Sequence, residues 1–400
     1  MADPTGFPPG FPIGADVTVA QLEGTDAHAV LARLRASEPV SWVPALGGWL
    51  VTRRDLVLAA MRDPVLFTVD DPRFSTARVV GRSMLSTDGA EHERHRRPFD
   101  PSFGLGEVRT RFTAAVEAET ERLIFAMYHS GAAELRRGFA GPLAVAVVAE
   151  TLGLDGVSAP TVLSWYDAIV AAVSGVAAGQ EVSTAGREAF DALRTNVEAM
   201  VAGGPGDGAG GPSLLAAAGA TGGLRTDEVV SNAAVLMFGG IETTEGMTAN
   251  ALWHLLSHPD QLALVRADPA LLGPAIEESL RLEPAAAVVD RYATADVELG
   301  GAPIRRGDLI VVSLAGANRD PAVFADPDRY DVRRGNARQQ VAFAHGPHVC
   351  LGMHLARLEA MTAIRQLLGR LPGLRLDPAR PSAPTGLVFR KPPTLHTLWG

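Results

Sequence analysis

A single cysteine, Cys350, serves a chain of 400 residues, so no intrachain disulfide can form and the expected compartment is a reducing cytoplasm. Long apolar runs are missing as well. The stretch from Ala233 to Gly240 is among the longest, is too short for a bilayer, and is soon broken by Glu242 and Glu245. Residues Met1 to Gly10 hold neither a basic segment nor an apolar one, which argues against a secretory leader. Basic charge is in deficit: a net charge of −9 leaves no electrostatic footprint for nucleic acid. No C-x-x-C pair and no internal repeat occur, which weighs against a zinc module and a solenoid. A soluble cytoplasmic protein with no membrane segment and no nucleic-acid partner is expected.

Hydrophobic residues make up 47% of the chain, enough for a large core. Helical spacing dominates, at Asp26 to Ser37, Arg53 to Arg62, Arg109 to Met127, Leu135 to Leu152, Pro160 to Val176 and Gln180 to Val201. The longest helical pattern runs from about Asp227 to His258, with further helices through Gln261 to Leu264 and Leu271 to Leu282. Short strands are predicted at Val40 to Val43, Trp49 to Thr52, Val288 to Tyr292, Val297 to Leu299 and Leu309 to Leu314, with Gly300-Gly301 as a hairpin turn. The fold class is mainly α with a minor β component. Residues 1–24, rich in Pro and Gly, read as an extended lead-in. The run from Gly203 to Pro212 fits either a domain linker or a long surface loop.

Cys350 lies in Phe343-Ala344-His345-Gly346-Pro347-His348-Val349-Cys350-Leu351-Gly352, just before a predicted helix that runs to about Leu368. Gly346 and Gly352 permit tight turns that aim amides at the sulfur, and the positive end of the helix favours a thiolate, a good soft-metal ligand. A small buried hydrophobe, a zinc site with His345 and His348, and a cysteine nucleophile are the alternatives for these residues taken alone.

The stretch resembles the haem-binding signature of the cytochrome P-450 family, F-x-x-G-x-x-x-C-x-G, through Phe343, Gly346, Cys350 and Gly352. Many members carry glycine where this chain has Ala344. Gly239-Gly240-Ile241-Glu242-Thr243-Thr244 similarly resembles the family's oxygen-activation motif. Glu278 with Arg281, and Pro327-Asp328-Arg329-Tyr330, resemble its E-x-x-R helix and its P-x-R-[FY] segment. The resemblance spans the chain from about residue 20. It implies the cytochrome P-450 fold, one catalytic domain over residues 25–400, and a surface loop at Gly203 to Pro212.

The resemblance further implies haem b (iron protoporphyrin IX) with Cys350 as its iron ligand, in a setting that includes Phe343, Gly346 and Gly240. Thr243 and Glu242 would relay protons for splitting dioxygen, and Glu278, Arg281 and Arg329 would form a buried structural network. His92 and Arg96, four apart and so on one helix face, match the family's haem-propionate contacts, as do Arg291 and His348. Pocket walls are expected from Phe67 to Val80, the helices between Leu163 and Met200, Ala285 to Val289 and Gly386 to Phe389. The implied activity is monooxygenation of a small apolar organic substrate by a monomer, with ferredoxin and ferredoxin reductase as electron donors. Arg94, His95, Arg97, Arg333, Arg334 and Arg338 would steer the acidic ferredoxin. A peroxide-driven peroxygenase and a non-catalytic gas-binding haem protein are the two alternatives.

Overall fold

The 32-residue helix Thr226–Ser257 is apolar on nearly every face, which is the pattern of a helix buried all round. It packs against Gly141–Leu152, Thr184–Gly203, Leu272–Leu282 and Met353–Arg370. The computed structural model describes residues 10–154, 156–177, 179–203, 214–220 and 222–400. The expected loop from Gly203 to Pro212 lies, after Gly203, outside the described residues.

The predicted helices and strands form, with ends moved by a few residues. Five short strands make one mixed sheet in the order Val40–Val43, Gly48–Val51, Leu309–Ser313, Val288–Ala293, Phe67–Thr68. Gly48–Val51 and Leu309–Ser313 run parallel, with Trp49 opposite Ile310, and the other pairs are antiparallel. Gly300 and Gly301 turn the hairpin Val297–Leu299 to Ala302–Ile304 with φ of +57° and +85°, a region open to glycine.

Three regions depart from expectation. The lead-in is not extended over Pro12–Ala15 and Val19–Glu23, which are helical. For Val19–Glu23 the cause is a capping box, legible as T-x-x-Q: Thr18 Oγ1 accepts from Gln21 N–H, and Thr18 N–H donates to Gln21 Oε1. The stretch Phe67 to Val80, to which the sequence assigns no helix, contains one at Ser75–Val80. Leu135 to Leu152 is not one α-helix, because Arg136–Ala140 forms a π turn before Gly141–Leu152. Among the described residues, Ala159–Val176 alone has the length and hydropathy of a membrane span. It packs in the core through Val162, Tyr166, Ile169, Ala172 and Val176.

Glu278 and Arg281 are both fully buried and paired by two hydrogen bonds of 2.7 and 2.8 Å. The second cation on Glu278 is Arg334, at 2.8 Å, not Arg329. Arg329 points outward and contributes only its carbonyl, which accepts from Arg281 Nη2 at 3.2 Å. Removing one member of such a buried pair strands a charge, so Arg281→Leu should cost about 3–5 kcal/mol in denaturant unfolding. Arg329→Ala should stay within about 0.5 kcal/mol.

Candidate functional site

The loop before Met353–Arg370 is built around Cys350. Its N–H donates to Phe343 O at 2.8 Å, closing the turn, and Val349 N–H donates to Gly346 O at 3.1 Å. Gly346 has φ of +76°, and a Cβ there would lie 2.5 Å from Met61 O, so the loop seats directly on the end of Arg54–Arg62. Ala344 also takes a left-handed φ, +59°, at a strain of about 1–2 kcal/mol. Arg357 lies 4.4 Å over the Phe343 ring and bonds Glu277 at 2.6 and 3.1 Å, clamping the loop to the helix after it.

Cys350 opens into a cavity of about 270 Å³. Burial pushes its thiol pKa up, against the Gly352 N–H and the charges of Arg96 and Arg357. Crowding of the sulfur by its loop outweighs the amide and the neighbouring charges in the protein alone, although the side chain opens to the cavity. A bound metal cation would reverse that order, since a coordinating thiol loses its proton.

Phe343, Gly240, Thr243, His92, Arg96 and His348 line the same cavity, whereas Gly346, Glu242 and Arg291 do not. The His92 and His348 rings stand 4.2 Å apart, and Arg96 donates to Val349 O at 2.7 Å. Arg291 is buried with no ion pair among the described residues, and its Nη1 bonds only the neighbouring Asp290 carbonyl. A cation desolvated in this way invites an anion. Opposite Cys350, Gly240 lets the central helix press on Val148, because a Cβ there would come within 2.5 Å of Val148 Cγ2. Gly239 faces open space, and Thr243 Oγ1 donates back to Gly239 O at 2.6 Å.

Of the expected pocket walls, Ala285, Ala286 and Val289 line the cavity. Phe67 to Val80, the helices from Leu163 to Met200, and Gly386 to Phe389 do not; Met84, Leu85 and Val148 do instead. Of the expected basic cluster, Arg94 is bound to Glu228 at 2.6 Å, His95 is buried and Arg334 is held by Glu278. Arg97, Arg333 and Arg338 remain exposed.

Three residues emerge only from the structure. Asp88 accepts from His348 Nε2 at 2.7 Å. Glu359 lines the cavity with Oε2 unpaired among the described residues, and burial raises its pKa well above the carboxylate range. Lys391 holds Glu242. Glu359 had a faint sequence signal, sitting four and three residues beyond Leu355 and Ala356 on one helix face.

The donor set fits a haem: one sulfur in an apolar chamber, facing a glycine-opened helix, with the buried Arg291, which has no ion pair among the described residues, acting on His348 at its edge. Comparison with known proteins agrees. The family Cytochrome P450 matches residues 213–397. Cytochrome P450 monooxygenase PikC of Streptomyces venezuelae is 34% identical, covering 98% of this chain and 94% of that protein. 6-Deoxyerythronolide B hydroxylase of Saccharopolyspora erythraea is 32% identical, over 90% and 93%. The crystal structure of CalO2 superposes with a TM-score of 0.86 at 30% identity, covering 96% of this chain and 99% of that one. The chain belongs to the cytochrome P450 family and has its fold. It is a haem-thiolate monooxygenase, an oxidoreductase that incorporates oxygen from dioxygen using electrons from a redox partner.

Desolvation works to raise the Asp88 pKa, yet hydrogen bonds from His348, Thr68 Oγ1 and Val69 N–H bring it down to about 2. His348 is itself lowered, burial first, with Arg291 and His92 adding to it. The Asp88 shift therefore rests on donors that act whether or not the imidazole is charged. A carboxylate with a depressed folded pKa stabilises the fold above its unfolded value and loses that contribution as pH falls. Acid titration of unfolding should show about 2 kcal/mol lost from about pH 5 to pH 2 that Asp88→Asn does not lose.

Proposed function

We propose that the chain carries haem b, with Cys350 as the iron ligand in the loop framed by Phe343 and Gly346. His92, Arg96, Arg291 and His348 would meet the propionates. The single observation that carries this reading is that the only cysteine and Thr243 line one cavity whose remaining wall is largely apolar. Bound haem supplies dioxygen activation and the oxidising power for insertion into a C–H bond. Gly240 keeps the opposite helix close and Thr243 presents a hydroxyl. Glu242 supplies protons from behind that helix.

Two electrons and two protons enter with dioxygen, and one hydroxylated product and one water leave. The substrate is a small apolar organic molecule, as the walls Leu85, Val235, Leu236, Ala285 and Val289 favour. A relative's printed name, 6-deoxyerythronolide B hydroxylase, supports a skeleton of that kind. Ferredoxin and its reductase supply the electrons at the face bearing Arg97, Arg333 and Arg338. The protein works as a soluble cytoplasmic monomer, with residues 25–400 as one catalytic domain.

Reduced, carbon-monoxide-treated enzyme should show the long-wavelength Soret band of thiolate-ligated haem, and Cys350→Ala should lose it. Thr243→Ala should keep the band while product per electron pair falls by about a hundredfold, the scale of a lost proton donor. An unchanged spectrum in Cys350→Ala would refute the assignment.

A further inference from the structure

Asn232 ends the cavity face of the central helix. Counting back from Thr243, the residues Gly240, Gly239, Leu236 and Val235 line the cavity at helical intervals, and the next position on that stripe is Asn232. It is wholly buried and stops short of the cavity, where Met84 and Leu85 supply the wall instead. Each polar atom of its amide is used. Oδ1 accepts from Met84 N–H at 2.8 Å, and Nδ2 donates to Glu228 O at 2.8 Å and to His95 Nδ1 at 2.9 Å. A peptide N–H only donates and a carbonyl only accepts, so the amide has one sense. His95 Nδ1 must then accept, with the ring proton on Nε2. Burial lowers the His95 pKa, which favours the neutral ring that this bond needs.

Met84 is gripped from a second side as well. Its carbonyl accepts from His92 Nδ1 at 2.8 Å, so both of its backbone polar groups are bound to side chains, one on the central helix and one on the helix Gly89–Arg96. The loop around it is seated closely. Gly81 has φ of +83°, and a Cβ there would come 2.8 Å from the Oγ of Ser231, the neighbour of Asn232. Thr87 Oγ1 donates to Ser83 O at 2.8 Å and Ser86 Oγ accepts from Ser83 N–H at 3.1 Å, closing the loop on itself. Residues 81–88 form no helix or strand, so the place of Met84 depends on these side-chain bonds.

We propose that Asn232 is a positioning residue for the substrate wall: its amide holds the Met84 backbone against the central helix, and this bond fixes how far a substrate lying along that helix can extend. Asn232 acts through Met84 and touches no substrate, a role that deepens the substrate reading given above and rests on it.

The test uses holoenzyme and two probes that bind iron through an imidazole nitrogen, 1-methylimidazole and 1-octylimidazole, each titrated by the shift of the haem absorption band. The short probe ends before the wall, and the long one runs toward it. In wild type the octyl chain should add affinity, by up to about fourfold for each buried methylene. Asn232→Leu lets the wall take other positions. It should weaken 1-octylimidazole by about tenfold, the loss when the competent state falls to a tenth, and leave 1-methylimidazole within about twofold. Met84→Ala removes the side chain through which Asn232 acts. In that background Asn232→Leu should change octyl affinity by less than about twofold. Equal weakening of both probes, no weakening of either, or effects that multiply in the double variant would overturn the proposal.

A second readout uses wild type alone and needs no variant to fold. Deuterium exchange at the Met84 amide should be slow in the holoenzyme, and 1-octylimidazole should slow it by about a further tenfold where 1-methylimidazole does not. Exchange at the rate of an open loop, or equal slowing by both probes, would refute the role of Asn232. Absence of the carbon monoxide band in wild type would instead remove the haem reading, with the exchange rate of Met84 still deciding whether its amide is held.

Discussion

Glu278 carries two guanidinium groups while itself fully buried, and the cysteine loop is built on that charge. Arg281, fully buried, spends its remaining donors on the carbonyls of Asn318, Pro327 and Arg329. Asn318 Oδ1 then accepts from Val341 N–H at 2.7 Å, and Val341 O accepts from Ala344 N–H at the entry of the cysteine turn. A buried ion network of this kind contributes little net stability compared with an apolar core of equal volume. Its use is directional: each donor tolerates one acceptor position, so the loop has one conformation. That explains why a left-handed alanine is held at 344 although the backbone would relax elsewhere.

Much of this site was legible because its signals are local. The spacing of Phe343, Gly346, Cys350 and Gly352 places a sulfur between two turns, and the structure assembles those residues as one loop beside the cavity. The helix Thr226–Ser257 is readable from its length and apolar content, as is the hairpin at Gly300-Gly301. Partners far apart in the chain are not readable in this way. Asp88 meets His348 across 260 positions and Lys391 meets Glu242 across 149. Arg334 takes the place expected of Arg329 because the chain turns between them, a detail of backbone direction that a motif does not carry. The upward shift of the Cys350 thiol escaped for a different reason: sequence shows the nearby helix end but not how closely the loop crowds the sulfur.

The central helix serves two environments within two turns. Gly239, Gly240, Thr243, Thr244 and Met247 turn to the cavity, while Glu242 and Glu245, three apart, turn to Lys391. Mid-helix glycine costs about 1 kcal/mol relative to alanine. At 240 the return is contact with Val148, and at 246 it is passage for the lysine stem. These glycines therefore set distances between elements that a methyl group would force apart. The helix itself is kept by burial on both sides.

Charge around the cavity is sorted by how it is neutralised. Behind the central helix, Glu242 and Glu245 face Lys391, Arg136 and Arg137, so the cluster closes on itself. Beside the cysteine loop the balance is left open: Arg291 has no ion partner among the described residues, and Asp88 is already taken by His348, Thr68 and Val69. Glu359, the one acid on the cavity wall among the described residues, has its pKa pushed well up by burial, which disfavours the charge that would quench that excess. An uncompensated buried cation is costly, and such a site persists where an anion completes it. Haem propionates, held as proposed above, would be anions of that kind, and the cationic edge and the sulfur would then serve one bound group.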